Sequence, residues 1–257
     1  MKQLRSILTL LVLLYAFPSY AGDQLTKIDT RQGVKIPVYY MKRDSAKATV
    51  VLLPGGAGGI GMRDGLPTSN NFLVRSRDYF AANGFNVAVV AKPSDMQELD
   101  YAARISTEHI QDLRTVVEFL KKDSGLPIWI VGTSRGTVSA TAAAIAFGNE
   151  QLAGIVLTSS VVNQKITGAV PYQKLESIKI PVLVFHHEYD GCKLCNPRDV
   201  SLIIERLANA PVKKEIYVKG GKDPSGNPCE AMHWHGYIGM EKEAVNIISD
   251  WIKKPIL

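Results

Sequence analysis

Apolar positions along the chain fall into two kinds of segment that take turns. Short runs dominated by Val, Ile and Leu occupy 48–53, 85–91, 128–132, 152–158, 181–186 and 214–218. Runs of this length and composition suit strands covered on both faces. Between them, at 72–83, 102–122, 135–147, 197–209 and 237–252, apolar residues recur at helical spacing. Glycines stand just past some of these patterns, as in Asn83-Gly84 and Ser124-Gly125, where a helix end favours a left-handed residue. Strand and helix in regular succession predict an α/β fold with a mostly parallel central sheet and helices on both faces, because parallel strands need crossover connections. Segment 33–40 is expected to add an antiparallel strand at the start. Two stretches break the rhythm: 54–71, which opens Pro54-Gly55-Gly56-Ala57-Gly58-Gly59, and the Gly- and Pro-rich 219–235. Long loops inside a compact domain tend to carry function.

The N-terminus changes how the charge is read. Lys2 and Arg5 precede the apolar run 7–17, and Pro18-Ser19-Tyr20-Ala21 follows it. That is the layout of a secretory signal peptide spanning 1–21, which leaves 22–257 as a single domain. The apolar run is too short for the roughly 20 residues that cross a bilayer. The expected product is therefore exported, periplasmic or secreted, with no stable membrane insertion after cleavage. The formal charge of +6 falls by two once Lys2 and Arg5 are removed. What remains is scattered in short pairs such as Lys213-Lys214 and Lys253-Lys254, a solvated surface with no nucleic-acid partner implied. At 257 residues and 46% hydrophobic, the chain can bury a sizeable core, which excludes a disordered chain or a disulfide-dense miniprotein.

Chemistry enters at Gly132-Thr133-Ser134-Arg135-Gly136, a Gly-x-Ser-x-Gly pattern between a predicted strand and a predicted helix. In that setting a sharp turn lifts the serine hydroxyl above the sheet edge, and the flanking glycines remove Cβ atoms that would collide. Without it, the same residues read as a Gly-rich helix start where Ser134 caps or binds an anion. A nucleophilic serine needs a histidine base, and the base needs a carboxylate to orient it. Asp190, in His187-Glu188-Tyr189-Asp190-Gly191, is the chosen acid, with Glu188 in reserve. His235, in Met232-His233-Trp234-His235-Gly236-Tyr237, is the chosen base, with His233 as the alternative. Backbone amides of Arg135 and Gly56, or Ala57 in place of Gly56, would form the oxyanion hole. His109 shares a helical apolar face with Leu113, Val116 and Leu120 and reads as a packed core histidine; His186 and His187 read as supports of the acid turn. No Gly-Lys-Ser/Thr follows 54–59, so no nucleotide or other cofactor is expected. Trp234, Tyr237, Met62 and Leu66 are candidates for an acyl pocket or for packing.

With Leu53-Pro54-Gly55-Gly56 at a strand end, then Gly-Thr-Ser-Arg-Gly, an acid past a later strand and finally His235-Gly236-Tyr237, the chain resembles the α/β-hydrolase superfamily over nearly all of 22–257. More narrowly it is similar to small exported bacterial hydrolases, loosely dienelactone-hydrolase-like. The shared features are Asn71-Phe72-Leu73-Val74-Arg75-Ser76-Arg77, Pro93-Ser94-Asp95, and cysteines flanking the acid and the histidine. The resemblance implies the α/β-hydrolase fold with Ser134 as nucleophile, Asp190 as acid and His235 as base. Pro54 stands where many relatives have His, and Ser134 where dienelactone hydrolases have Cys. Only 22 residues separate 152–158 from 181–186, where relatives insert a cap, so little or no cap is expected.

The resulting expectation is a carboxylesterase-like serine hydrolase that acts on a small-molecule carboxylic ester or related acyl substrate through an acyl-enzyme. Two other classes compete: a non-catalytic binding protein on the same fold, and a zinc protein built on Cys192-x-x-Cys195, Cys229, His233 and His235. Three cysteines cannot all pair. A Cys192–Cys229 disulfide would tie the acid loop to the base loop and leave Cys195 free, while Cys195 with Cys229 is the other open pairing.

Overall fold

The computed structural model describes residues 22–256, so the signal-peptide expectation for 1–21 lies outside the described residues. The chain opens with an antiparallel hairpin, β1 (Gln24–Arg31) and β2 (Val34–Met41). Next come β3 (Ala48–Leu53), a small hairpin of β4 (Met62–Arg63) and β5 (Leu66–Pro67), helices α1 (Phe72–Arg75) and α2 (Arg77–Ala82), and β6 (Phe85–Val90). They are followed by α3 (Thr107–Ser124), β7 (Ile128–Thr133), α4 (Arg135–Gln151), β8 (Gly154–Thr158) and β9 (Val182–His187). The chain closes with α5 (Ser201–Arg206), β10 (Lys213–Val218) and α6 (Glu241–Lys253). Eight strands form one sheet in the order β1-β2-β6-β3-β7-β8-β9-β10, parallel from β6 through β10 and antiparallel at β1 and β2.

The two-residue period of a strand divides the apolar side chains between two cores. Val51, Leu53, Ile128, Ile130, Ile155 and Leu157 pack toward α3, α4 and α5. Their neighbours Val50, Leu52, Trp129, Val131 and Val156 pack toward α1, α2 and α6. Every residue of β3, β6, β7, β8 and β9 is buried, as expected of strands sandwiched between helical layers. No large cap interrupts β8 to β9, a stretch that holds two single 3-10 turns.

Several boundaries differ from the sequence reading, each for a local reason. The expected antiparallel strand at 33–40 is one half of a hairpin. Its partner β1 went unpredicted because its residues are mostly solvent-facing and polar. The single helix expected at 72–83 breaks at Ser76, whose φ of −98° and ψ of 3° leave the helical basin. The helix expected from 237 starts at Glu241, because Tyr237 sits in the left-handed region with φ 57° and ψ 37°. The loop 54–71 holds the β4–β5 hairpin.

A close backbone approach fixes how the start of α4 lies on the end of β3. A Cβ on Gly136 would overlap the Leu53 carbonyl, and one on Gly132 would overlap the Gly136 carbonyl. Gly136→Ala is accordingly expected to destabilise the fold by about 1–3 kcal/mol, read as a lowered denaturant midpoint with an unchanged slope.

Candidate active site

Parallel strands deliver their carboxyl ends to one rim, and the three side chains singled out above stand on loops that leave that rim. Ser134 follows β7 directly, with φ 52° and ψ −126°. A residue with a side chain pays about 1–3 kcal/mol to sit in such a region. Bonds on both sides hold it there: its N–H donates to the Thr158 carbonyl at 3.0 Å, while its own carbonyl accepts from the Thr137 N–H at 2.9 Å and hydroxyl at 2.7 Å. Gly55 lies against this turn so closely that a Cβ there would stand 2.8 Å from the Ser134 Cβ.

Asp190 lies three residues past the end of β9, and its buried carboxylate is fully engaged. Oδ1 accepts from the Cys192 N–H at 2.9 Å. Oδ2 accepts from His235 Nδ1 at 2.7 Å and lies 3.3 Å from His186 Nε2. Because His186 Nε2 also meets the Cys195 carbonyl at 2.9 Å, and a carbonyl can only accept, that nitrogen carries the proton. Burial alone would push the Asp190 carboxyl up. The bonds from His186 and His235 outweigh it and bring the group down to about 2.

His235 occupies a 3-10 turn, Trp234–Gly236. With Nδ1 donating to Asp190, its buried Nε2 has no hydrogen-bond partner. The backbone around it is clamped. The Ser159 hydroxyl donates to the His235 carbonyl at 2.8 Å, and Arg75 donates to the Gly236 carbonyl at 2.5 Å while pairing with Glu241 at 3.0 Å. Neither Ser159 nor Arg75 was assigned a role from sequence. Arg75 lies in the 71–77 motif, but its acceptor here is a backbone carbonyl 161 residues away.

Ser134, His235, Gly55, Gly56 and Ala57 line one cavity of about 440 Å³, with Asp190 on the far side of the imidazole. The amides of Gly56 and Ala57 have no acceptor within the described residues. The Arg135 amide opens α4, where a helix leaves N–H groups unpaired, while its side chain turns away to Glu98 at 2.5 Å and over the Tyr101 ring. The reserve residues lie elsewhere: Glu188 pairs with Lys219 at 3.0 Å, and His233 packs edge-on against Trp234. None of Trp234, Tyr237, Met62 and Leu66 lines the cavity. Tyr237 is fully buried and donates to the Phe185 carbonyl at 2.9 Å, while Met62 and Leu66 face solvent on the small hairpin. His109 is buried as a core residue, bonded to Ser139 at 2.9 Å, and burial pushes it down to about 3.

Cys192 and Cys229 are joined across 37 positions, linking the acid loop to the base loop, and Cys195 is a buried free thiol. Ligand atoms of Cys192, Cys195 and His235 lie within 4.8 Å of one another, yet this set does not suit zinc. The Cys192 sulfur is spent in the disulfide, His235 Nδ1 is committed to Asp190, and burial pushes the Cys195 thiol well above its ordinary value, away from the thiolate that a metal needs. Gly56, Gly58 and Gly61 have the spacing of a dinucleotide loop, but they lead into the β4–β5 hairpin, so the helix N-terminus that would receive a pyrophosphate is missing. No helix of the described residues is long and apolar enough to cross a membrane.

Two measurements follow from this geometry. Cys229→Ser is expected to lower unfolding free energy by about 4 kcal/mol, the chain-entropy value for a loop of this length, with reductant lowering the wild type to the same level. The depressed Asp190 carboxyl contributes stability that is complete above its ordinary pKa of 3.8 and is lost as pH falls through about 2. Between pH 4 and pH 2, denaturant titrations should therefore show the wild type losing about 2 kcal/mol more than Asp190→Asn.

Neither a protein-family model nor a curated protein matches the sequence. Solved structures do match the fold. An esterase of Pyrococcus furiosus superposes with a TM-score of 0.67 at 15% identity, covering 90% of this chain and 90% of that one. A serine hydrolase without a lid from Xanthomonas campestris gives 0.60 at 15% identity, over 90% and 96%. An esterase of Exiguobacterium antarcticum gives 0.60 at 13% identity, over 89% and 99%. From the sheet order, the strand-to-helix turn at Ser134 and these superpositions over almost the whole described chain, this protein has the α/β-hydrolase fold.

Proposed function

We propose that the protein is an exported serine hydrolase that cleaves small carboxylic esters through an acyl-enzyme. One observation carries the reading: a strained serine and the free nitrogen of a carboxylate-bound histidine belong to one cavity. In the mechanism that follows, His235 Nε2 takes the Ser134 proton as Oγ attacks the ester carbonyl. Asp190 holds the tautomer that leaves Nε2 its lone pair and steadies the imidazolium that forms. Amides of Arg135 and of Gly56, or of Ala57 in place of Gly56, receive the oxyanion, in a place where charge develops only as the reaction proceeds. Collapse expels the alcohol, which takes the proton from His235. Water then repeats the sequence on the acyl-enzyme and releases the acid.

The size of the cavity supports a short acyl group. Its walls include Ser69, Asn70 and Asn71, with Met232 among the few large apolar side chains. The esterase names of the structural neighbours support the same reading. The Cys192–Cys229 bond supports an oxidising compartment, and with it the leader read at 1–21.

The test is labelling by a fluorophosphonate together with hydrolysis of p-nitrophenyl esters of graded chain length. Wild type is expected to take one label, and Ser134→Ala none. Asp190→Asn is expected to lower kcat by about 10³–10⁴-fold, the scale of losing the orienting carboxylate. Acetate and butyrate should be cleaved faster than esters of ten or more carbons. Folded wild type that takes no label and cleaves no ester would overturn the proposal and favour a binding protein on the same fold.

A further inference from the structure

Among the described residues, one buried cation has no carboxylate in contact with it. Arg104, 1% exposed, stands in a single 3-10 turn ahead of α3, and its guanidinium meets only neutral acceptors. Nε donates to the Leu99 carbonyl at 3.1 Å and Nη1 to the Ser139 hydroxyl at 3.1 Å. Nη2 donates to the carbonyls of Pro54 at 3.2 Å and Gly56 at 3.1 Å. No carboxylate lies within ion-pair distance among the described residues. His109, on the other side of Ser139, is held neutral by burial. Burial is also the largest influence on Arg104 itself and pushes it down to about 9, with nearby Arg135 acting in the same direction and Tyr101, Asp100 and Glu98 opposing from a distance, so it keeps its charge at neutral pH. A fold normally pairs a buried cation, since desolvating one without a partner is expensive.

The two loop carbonyls explain where this charge is aimed. They belong to the peptide groups joining Pro54 to Gly55 and Gly56 to Ala57, and the described chain has no cis peptide. In a planar trans peptide the N–H points opposite to the C=O. With both carbonyls drawn to the guanidinium, the amides of Gly55 and Ala57 face away from it. Gly55, Gly56 and Ala57 all line the cavity beside Ser134.

We propose that Arg104 is a positioning residue for the oxyanion loop: it holds the carbonyls of Pro54 and Gly56 inward, so that the amide of Ala57, the alternative to that of Gly56 as oxyanion donor, is preset toward the cavity, and its charge favours the negative oxygen that forms there. The inference rests on the serine-hydrolase reading and adds to it a part that touches neither substrate nor nucleophile. The nearby anion that the resting site lacks is, on this account, the oxyanion of the transition state. A preset donor costs nothing to reorient during the reaction, which is why such groups dominate acyl-transfer catalysis.

Arg104→Gln keeps donors but removes the charge, and Arg104→Lys keeps the charge but can reach fewer carbonyls. With p-nitrophenyl acetate, Arg104→Gln is expected to lower kcat by about 30-fold or more, somewhat below the roughly 10²–10³-fold of an oxyanion donor removed outright, while KM stays within about threefold. Arg104→Lys should recover part of that loss. A trifluoromethyl ketone, which adds to Ser134 to give a tetrahedral anion, should bind Arg104→Gln more weakly by the same factor as kcat falls. A merely structural arginine would not produce that match. If Arg104→Gln does not fold, Ser139→Ala loosens one anchor of the guanidinium and should show the same paired loss at about fivefold. A variant that is labelled by fluorophosphonate and keeps wild-type kcat, or that loses rate without losing ketone affinity, overturns this inference and leaves the hydrolase reading standing. Wild type that takes no label and cleaves no ester overturns both.

Discussion

The architecture turns on a contact between backbones where side chains would not fit. Gly132 and Gly136 let the start of α4 lie directly on the end of β3, against the carbonyl of Leu53. That contact decides where Ser134 stands, because the turn between β7 and α4 has no room to relax into ordinary dihedrals. It also decides what stands beside Ser134, since the loop leaving β3 passes at once over the same turn through Gly55. Strain at the serine and proximity of the glycine loop are thus two results of one steric fact. The bonds from Thr158 and Thr137 hold a conformation already imposed by packing.

Around this point the fold uses buried polar groups in opposite ways. Asp190 has more donors than its burial requires, and its negative charge is secured by two histidines and an amide. Arg104 has acceptors in plenty and, among the described residues, no carboxylate in contact. His186 and His187 each direct Nε2 to a backbone carbonyl, one to that of Cys195 and one to that of Gly220. His235 alone of this group keeps a ring nitrogen both buried and free beside the serine cavity. The difference between supporting and reacting groups here is therefore one of position: His186 also leaves a buried nitrogen, Nδ1, without a partner, but only His235 lines the serine cavity.

Much of this was legible in the chain because central strands and elbow glycines leave dense local signals. β3, β6, β7, β8 and β9 read correctly as apolar runs, since a strand buried on both faces has nothing polar to interrupt it. β1 was lost for the opposite reason: an edge strand is mostly wetted, and its polar residues look like a loop. The break at Ser76 escaped notice because one non-helical residue hardly disturbs the spacing of apolar positions. Ser134, Asp190 and His235 could be picked out by order along the chain and by nearness to strand ends. Arg104, Arg75 and Ser159 could not, since what they hold are main-chain carbonyls, and a carbonyl is the same at every residue. The pairing of Cys192 with Cys229 rather than Cys195 with Cys229 was likewise a question only three dimensions could answer.

The outer strands of the sheet have a consequence of a different kind. β10 closes one side with Lys213, Lys214 and Glu215, and β1 closes the other with Lys27, Asp29 and Arg31. Unsatisfied strand borders invite further chains to join, and charge along them discourages it. This molecule therefore guards its flanks against polymer growth while the rim at right angles to them stays open to small visitors.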